Sequence, residues 1–254
     1  MKSFFKKETA IKISAIIFAI LVWQICAEVM NLRFILVSPL EVFVRLFTIW
    51  SEEGFVSALL FSFLRITGGF FAALVFGTLL AVLAGRFKSS EMFLSPYISA
   101  IKSVPVASFV IIAIFLFSSS YLSVFISFLI SFPVVYTNIL AGIHNTEKKM
   151  TEMARIFGLS FKKRFLYIFL PAIKPYLISA CSVSTGLAWK SGIAAELIGI
   201  PAGSVGEKLY FTKLYYEMGD LFAWTVIIVA ISAIFEKVLV SAIKHSFDLW
   251  ERSR

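Results

Sequence analysis

Residues 152–171 read EMARIFGLSFKKRFLYIFLP, and the placement of this stretch decides the architecture of the whole chain. It is too polar to lie in hydrocarbon, yet its apolar residues recur too regularly for an irregular loop. Met150, Met153, Ala154 and Phe157 follow the i, i+3, i+4, i+7 spacing of one helix face. Thr146 fits the N-cap, Glu147 the first turn, and Gly158 the position just past the helix end, where a left-handed residue closes the last turn. Ser160 fits the cap of a second short helix running to Pro171. In that helix Lys162, Lys163 and Arg164 suit anionic headgroups, while Phe161, Phe165, Ile168 and Phe169 suit apolar surroundings. The stretch therefore predicts two short helices joined at a glycine and lying at a membrane face.

The residues on either side supply the membrane. The chain of 254 residues is 59% hydrophobic, with a mean hydropathy of +0.91, and only 15% of its residues are charged. Those charges cluster between long apolar runs, as they do when charge is confined to the two faces of a bilayer. Six runs are candidate spans: 11–30, 67–85, 104–117, 121–141, 176–197 and 221–243. The opening MKSFFKKETAIK resembles the charged start of a signal peptide, but the run after it is long and carries no small-residue cleavage site, which predicts a retained first span. With the N-terminus inside, only Arg33, Arg45, Arg65, Lys208 and Lys213 fall outside, against eighteen basic residues inside. The rule that cytoplasmic loops carry the Lys and Arg excess then places both termini and residues 145–171 in the cytoplasm.

The same reading excludes other classes. A net charge of +9 would suggest nucleic acid in a soluble protein, but here the basic residues flank apolar segments and no nucleic-acid module fits between them. Cys26 and Cys181 are far apart within apolar runs and read as core residues; His144 and His245 read as solvated at helix ends, with no metal-ligand spacing. Lys190-Ser191 imitates the end of a phosphate-binding loop, yet Ser184 and Trp189 stand where that loop requires glycine. No hydrolase or metalloprotease motif is present, so no enzyme and no bound cofactor are expected.

Within the spans, two stripes of small residues recur every fourth position: Gly69, Ala73, Gly77, Ala81 and Gly85, then Ala180, Ser184, Ala188 and Gly192. Such stripes let helix backbones approach closely in lipid, which marks both helices as bundle interior. Residues 38–54 alternate helically between Leu40, Phe43, Val44, Phe47, Trp50 and charged positions, which predicts a helix lying flat at the outer surface. Lys190 stands deep in the fifth run and Glu196 nearer its outer end, and a charge in such a run needs a partner or an aqueous cavity. Together with Trp189 they are the candidate translocation-path or gate residues.

Glu152-Met153-Ala154, three residues, Gly158, nine residues, then Ile168-Phe169-Leu170-Pro171 resembles the cytoplasmic EAA signature of permease subunits in bacterial ABC importers, with Met153 in place of the first alanine. VSPLEV at 37–42 and GLAWKSGIAAELIG at 186–199 are similar to the branch that includes aliphatic-sulfonate, taurine and nitrate permeases, along with importers of thiamine-precursor pyrimidines. The resemblance implies an all-α, type I importer permease of six transmembrane helices in one domain, residues 1–254, in a bacterial plasma membrane. It makes the helix at Glu152, Met153, Ala154, Phe157 and Gly158 the coupling helix. It also implies a pair of these chains, two separate ATPase subunits that hold ATP and Mg, and an extracytoplasmic solute-binding protein. The competing class, an ion-coupled secondary transporter, would show related halves and broken helices at mid-membrane; no internal repeat is visible.

Overall fold

In the computed structural model, residues 2–30, 35–146 and 148–252 are described; Arg33, Glu147 and Arg254 lie outside them, as do the side chains of residues 2–10, 148, 149, 151, 155, 161 and 162, among them Lys2, Lys6, Lys7, Lys148, Lys149, Arg155, Phe161 and Lys162. Two helices set the frame: α3, Phe55–Arg86, and α6, Ser119–His144. Arg65 Nε donates to the Ser120 carbonyl at 2.6 Å, a Cβ on Gly77 would lie 2.9 Å from Val135, and one on Gly85 would lie 2.7 Å from Ile143. The partner number rises along both helices, so they run in the same direction. Small side chains permit this contact: Gly69, Ala73, Gly77 and Ala81 are all buried.

Two parallel neighbours oblige the chain between them to travel back across the same slab. That return is made by α4, Lys88–Ser103, and α5, Val106–Leu116, which are bent against each other by 102°. The expected third span at 104–117 thus needs correcting, because α5 has 11 residues and covers about 16 Å, half of a bilayer core. Pro105 causes the break: it restricts Val104 to an extended conformation (φ −80°, ψ 131°) and caps α5.

The remaining spans agree in number and exceed the expected lengths. α1, Lys2–Met30, contains the predicted 11–30 run; α9, Leu170–Gly199, and α11, Met218–Arg252, extend the fifth and sixth. Among the described residues five helices are long and apolar enough to cross a membrane, and the bent pair, taken as one span, makes a sixth crossing. α9 runs antiparallel to α6: Ser127 Oγ donates to the Ala188 carbonyl at 3.0 Å and Ser131 Oγ to the Ser184 carbonyl at 3.3 Å. The second small-residue stripe therefore sits against α6, and hydroxyls supply the polar contacts that lipid-immersed helices favour. Antiparallel to α9 in turn, α11 joins it where Lys174 meets Asp248 and Glu251.

Cys181 is buried, but Cys26 is exposed, because α1 is apolar on every side and turns little of its surface to the bundle. At the end of the bundle where α1 finishes lies α2, Pro39–Thr48, capped by the Ser38 side chain on Glu41 N. A 3₁₀ turn, Ile49–Ser51, continues it. Val42 and Ile49 face the bundle, while Leu40, Phe43, Val44, Phe47 and Trp50 are exposed. Arg45 pins this helix by gripping Asp220 of α11 with two nitrogens (Nη2–Oδ2 2.8 Å) and also reaching Glu52. The Asp220 hydrogen bond pushes the Arg45 pKa above its ordinary value, against the opposing effect of burial, so the grip stays charged. Removing it by Arg45→Met is expected to cost about 1 kcal/mol, read as a fall in Tm of about 2–4 °C in detergent.

Candidate functional site

α7, Lys148–Ile156, is the short helix predicted around Glu152. The start of α7 adjoins Glu147, outside the described residues; the buried Thr146 hydroxyl before it donates to the Gly142 carbonyl at 3.2 Å and ties the end of α6. Gly158 ends α7 with φ +64°, while Leu159 N reaches back to the Ala154 carbonyl at 2.9 Å. Nothing lies within 4 Å of a Cβ placed on Gly158. Conformation, not space, is what requires glycine there. Ser160 then caps α8, Phe161–Arg164, its carbonyl accepting from Arg164 N at 2.9 Å.

The periodicity of α7 divides on folding. Ala154 is buried, whereas Met150, Met153 and Phe157 are exposed together with Ile156, at 83%. Glu152 is exposed on the same short helix. A nine-residue helix that, with the residue after it, turns four large apolar side chains outward beside a carboxylate is a surface made for another protein or for lipid.

Between α8 and α9 the backbone widens into a π-turn, Phe165–Phe169, whose last bond runs from Leu170 N to the Phe165 carbonyl. Pro171 follows at once and Pro175 one turn later; a proline has no N–H for the helical ladder and its ring crowds the carbonyl four residues back. The widened turn relieves that crowding. Behind it lies an apolar pocket of about 160 Å³ bounded by Val82, Gly85, Ile143, Phe165, Phe169 and Ile173. The link from α7 to α9 is accordingly a four-residue turn at Gly158 followed by α8 and the π-turn, with room beside it to shift.

α9 carries the three candidate path residues to different places. Lys190 is exposed on a face shared with Ser179, Val183 and Leu197, spaced i, i+4, i+11, i+18 and so aligned along one side. Trp189 is buried beside Ile66, Phe70, Cys181 and Ala188, its ring 5.8 Å from that of Phe63. Glu196 is wholly buried, accepting from Ser62 Oγ at 2.5 Å and Gly206 N at 3.3 Å. The structure thus leaves Lys190 alone of the three on an open surface.

A groove of about 430 Å³ continues the open face between α9 and α11, lined by Ser179, Ser182, Glu236, Lys237 and Lys244. Ser182 Oγ donates to Glu236, a carboxylate that the sequence reading passed over although it stands in the sixth apolar run. The argument applied to Lys190, that a charge inside an apolar run needs a partner, would have found it. Arg65, stacked on Phe61 with Cζ 3.5 Å from the ring centroid, was likewise counted only as a topology marker. His144 is not simply solvated, since its Nε2 stands 3.5 Å from Glu91.

Five long apolar helices, the bent α4–α5 pair and a link of short helices between α6 and α9 make the frame of a membrane permease. Residues 73–250 match the family described as "Binding-protein-dependent transport system inner membrane component", and the chain belongs to it. It is a multi-pass, non-catalytic subunit of an ABC importer. The chain is similar to the aliphatic sulfonates transport permease protein SsuC of Bacillus subtilis, 25% identical with 76% of this chain and 69% of that one covered. It is also similar to the nitrate import permease protein NrtB of Synechococcus elongatus, 28% identical with 71% and 64% covered. A solved structure described as an amino acid ABC transporter with histidines shares the fold: TM-score 0.51 and 22% identity over 84% of this chain and 95% of that one. Family membership sets aside the secondary-transporter reading.

Proposed function

We propose that this subunit carries a small anionic solute between two copies of itself, driven through α7 by separate ATPase subunits. The observation that carries the reading is the exposed apolar face of α7, held over the Gly158 turn and joined to α9 through α8 and the π-turn. Glu152, Met153, Phe157 and Gly158 form the docking surface, with Ala154 packing the helix against its own chain. ATP and Mg stay on the ATPases. The basic residues around α7 put that end, and both termini, in the cytoplasm of a bacterial cell, by the positive-inside rule. α2 then lies in the outer interface, its five exposed apolar side chains in lipid.

A lysine turned to hydrocarbon is costly, so the α9 face bearing Lys190 belongs against water and a second copy rather than lipid. The relatives named for sulfonates and for nitrate handle anions, and Lys190, Lys237 and Lys244 give this surface matching charge. An extracytoplasmic binding protein delivers the solute at the opposite end. Closure of the ATPases pulls α7, the π-turn passes the displacement to α9, and the face opens alternately to either side.

The test is capture of the cognate ATPase from detergent by the wild-type chain, Gly158→Arg and Glu152→Lys. Both variants are expected to lose at least about tenfold in capture, the cost of one charged hydrogen bond or one misplaced helix, while remaining monodisperse. Equal capture by all three would remove α7 from the coupling role.

A further inference from the structure

Glu196 is acidic, membrane-embedded and 0% exposed, one turn from the end of α9. A buried carboxyl group needs hydrogen-bond partners, and here they fall on one oxygen, Oε2. Its occupants come from two other elements: Ser62 of α3, and the first turn of α10, Val205–Leu214, a short helix at the end of the bundle opposite α7. Glu196 Oε2 accepts from Gly206 N at 3.3 Å and from Ser62 Oγ at 2.5 Å. Ser62 Oγ itself accepts from Val205 N at 2.9 Å. The first two N–H groups of α10, which have no partner within their own helix, thus both lead to this one carboxylate.

Packing leaves no other arrangement. A Cβ on Gly206 would stand 2.7 Å from the Leu197 nitrogen, so the first turn of α10 rests backbone to backbone on the last turn of α9. Val205 and Leu209 fix its other side among Phe55, Ala58 and Trp224. The chain enters this hairpin through Ile200, held at φ +44°, a conformation that an isoleucine adopts only under tertiary constraint.

We propose that Glu196 is a clamp that makes α10 and the adjoining ends of α3 and α9 one rigid body, so that α10 follows α9 rather than moving as a free flap. It is a positioning residue, buried away from any solute. Its place in transport rests on the reading of α9 as the moving helix; the clamp itself does not.

The probe is a buried α10 position, Thr212→Cys, in a Cys26→Ser, Cys181→Ala background. Labelling by a soluble maleimide is followed on the full chain in nanodiscs, where both ends are accessible. The parent is expected to label slowly. Glu196→Ala should label about tenfold faster, as expected when two buried hydrogen bonds are lost. Ser62→Ala, which removes one branch, should label a few-fold faster. Glu196→Gln keeps an acceptor oxygen for both donors and should stay within about twofold of the parent. Parental labelling of a monodisperse Glu196→Ala chain, or a Gln variant as fast as the Ala variant, overturns the clamp. If the Ala variant does not accumulate, Ser62→Ala labelling at the parental rate overturns it. None of these outcomes depends on ATPase capture, so failure of the coupling reading would appear separately.

Discussion

Gly192→Val is expected to destabilise the bundle by about 3 kcal/mol, seen as a fall in Tm of about 6–12 °C and a loss of monodisperse protein. Gly192 faces α3 and α6 at once. A Cβ there would lie 2.5 Å from Ser127 Oγ and 2.6 Å from Ile66 Cγ1, with a third contact at 3.0 Å. Neither neighbour can yield cheaply. Ile66 is fully buried, and Ser127 donates its hydroxyl to the Ala188 carbonyl, the bond that ties α6 to α9. A β-branched side chain must push one helix away or break that bond, and close packing converts either into lost contacts along the seam. Gly186, two turns earlier on the same helix, meets nothing within 4 Å. Gly186→Ala should therefore hold or raise Tm, by up to about 1 kcal/mol from reduced backbone entropy in the unfolded chain. If Gly186→Ala lowers Tm as much as Gly192→Val, the assignment of packed and open faces on α9 is wrong.

That contrast shows what the sequence could and could not reveal. Period and composition locate spans because lipid requires long apolar helices, and α1 and α6 lie where the runs put them. Stripes of small residues identify interior faces because only they allow close approach, and the Gly69–Gly85 series does meet α6. The break at Pro105 was visible only as a short run, since hydropathy records depth poorly when two half-length helices share a crossing. The Gly158 turn could be read because positive φ restricts residue choice. Partners far apart in sequence could not: Ser62 with Glu196, Arg45 with Asp220 and Ser182 with Glu236 are separated by 134, 175 and 54 positions. Composition reports that a buried charge needs a partner without saying which helix brings it.

Lys190→Met is expected to reduce uptake of anionic solutes by at least tenfold, about 1.4 kcal/mol, while ATPase capture and Tm stay within error. The argument turns on which environment the open face of α9 meets. Against lipid, an ammonium at mid-helix costs about 2.5–3.5 kcal/mol, so its removal would stabilise the chain and leave transport alone. Against an aqueous path it is hydrated, costs little, and raises the local concentration of anions; methionine keeps the length and loses only that attraction. Lys190→Arg should retain most uptake and Lys190→Glu should abolish it, because repulsion replaces attraction at the same position. Transport by this chain, reconstituted with its ATPase and binding protein, is measured with nitrate and an alkane sulfonate in parallel. The sign of the response does not depend on which of them is carried. A Met variant with higher Tm and undiminished uptake would place Lys190 at the lipid boundary and move the path off α9. A Met variant with lower uptake and unchanged Tm leaves the α9 face as the wall along which the anion passes.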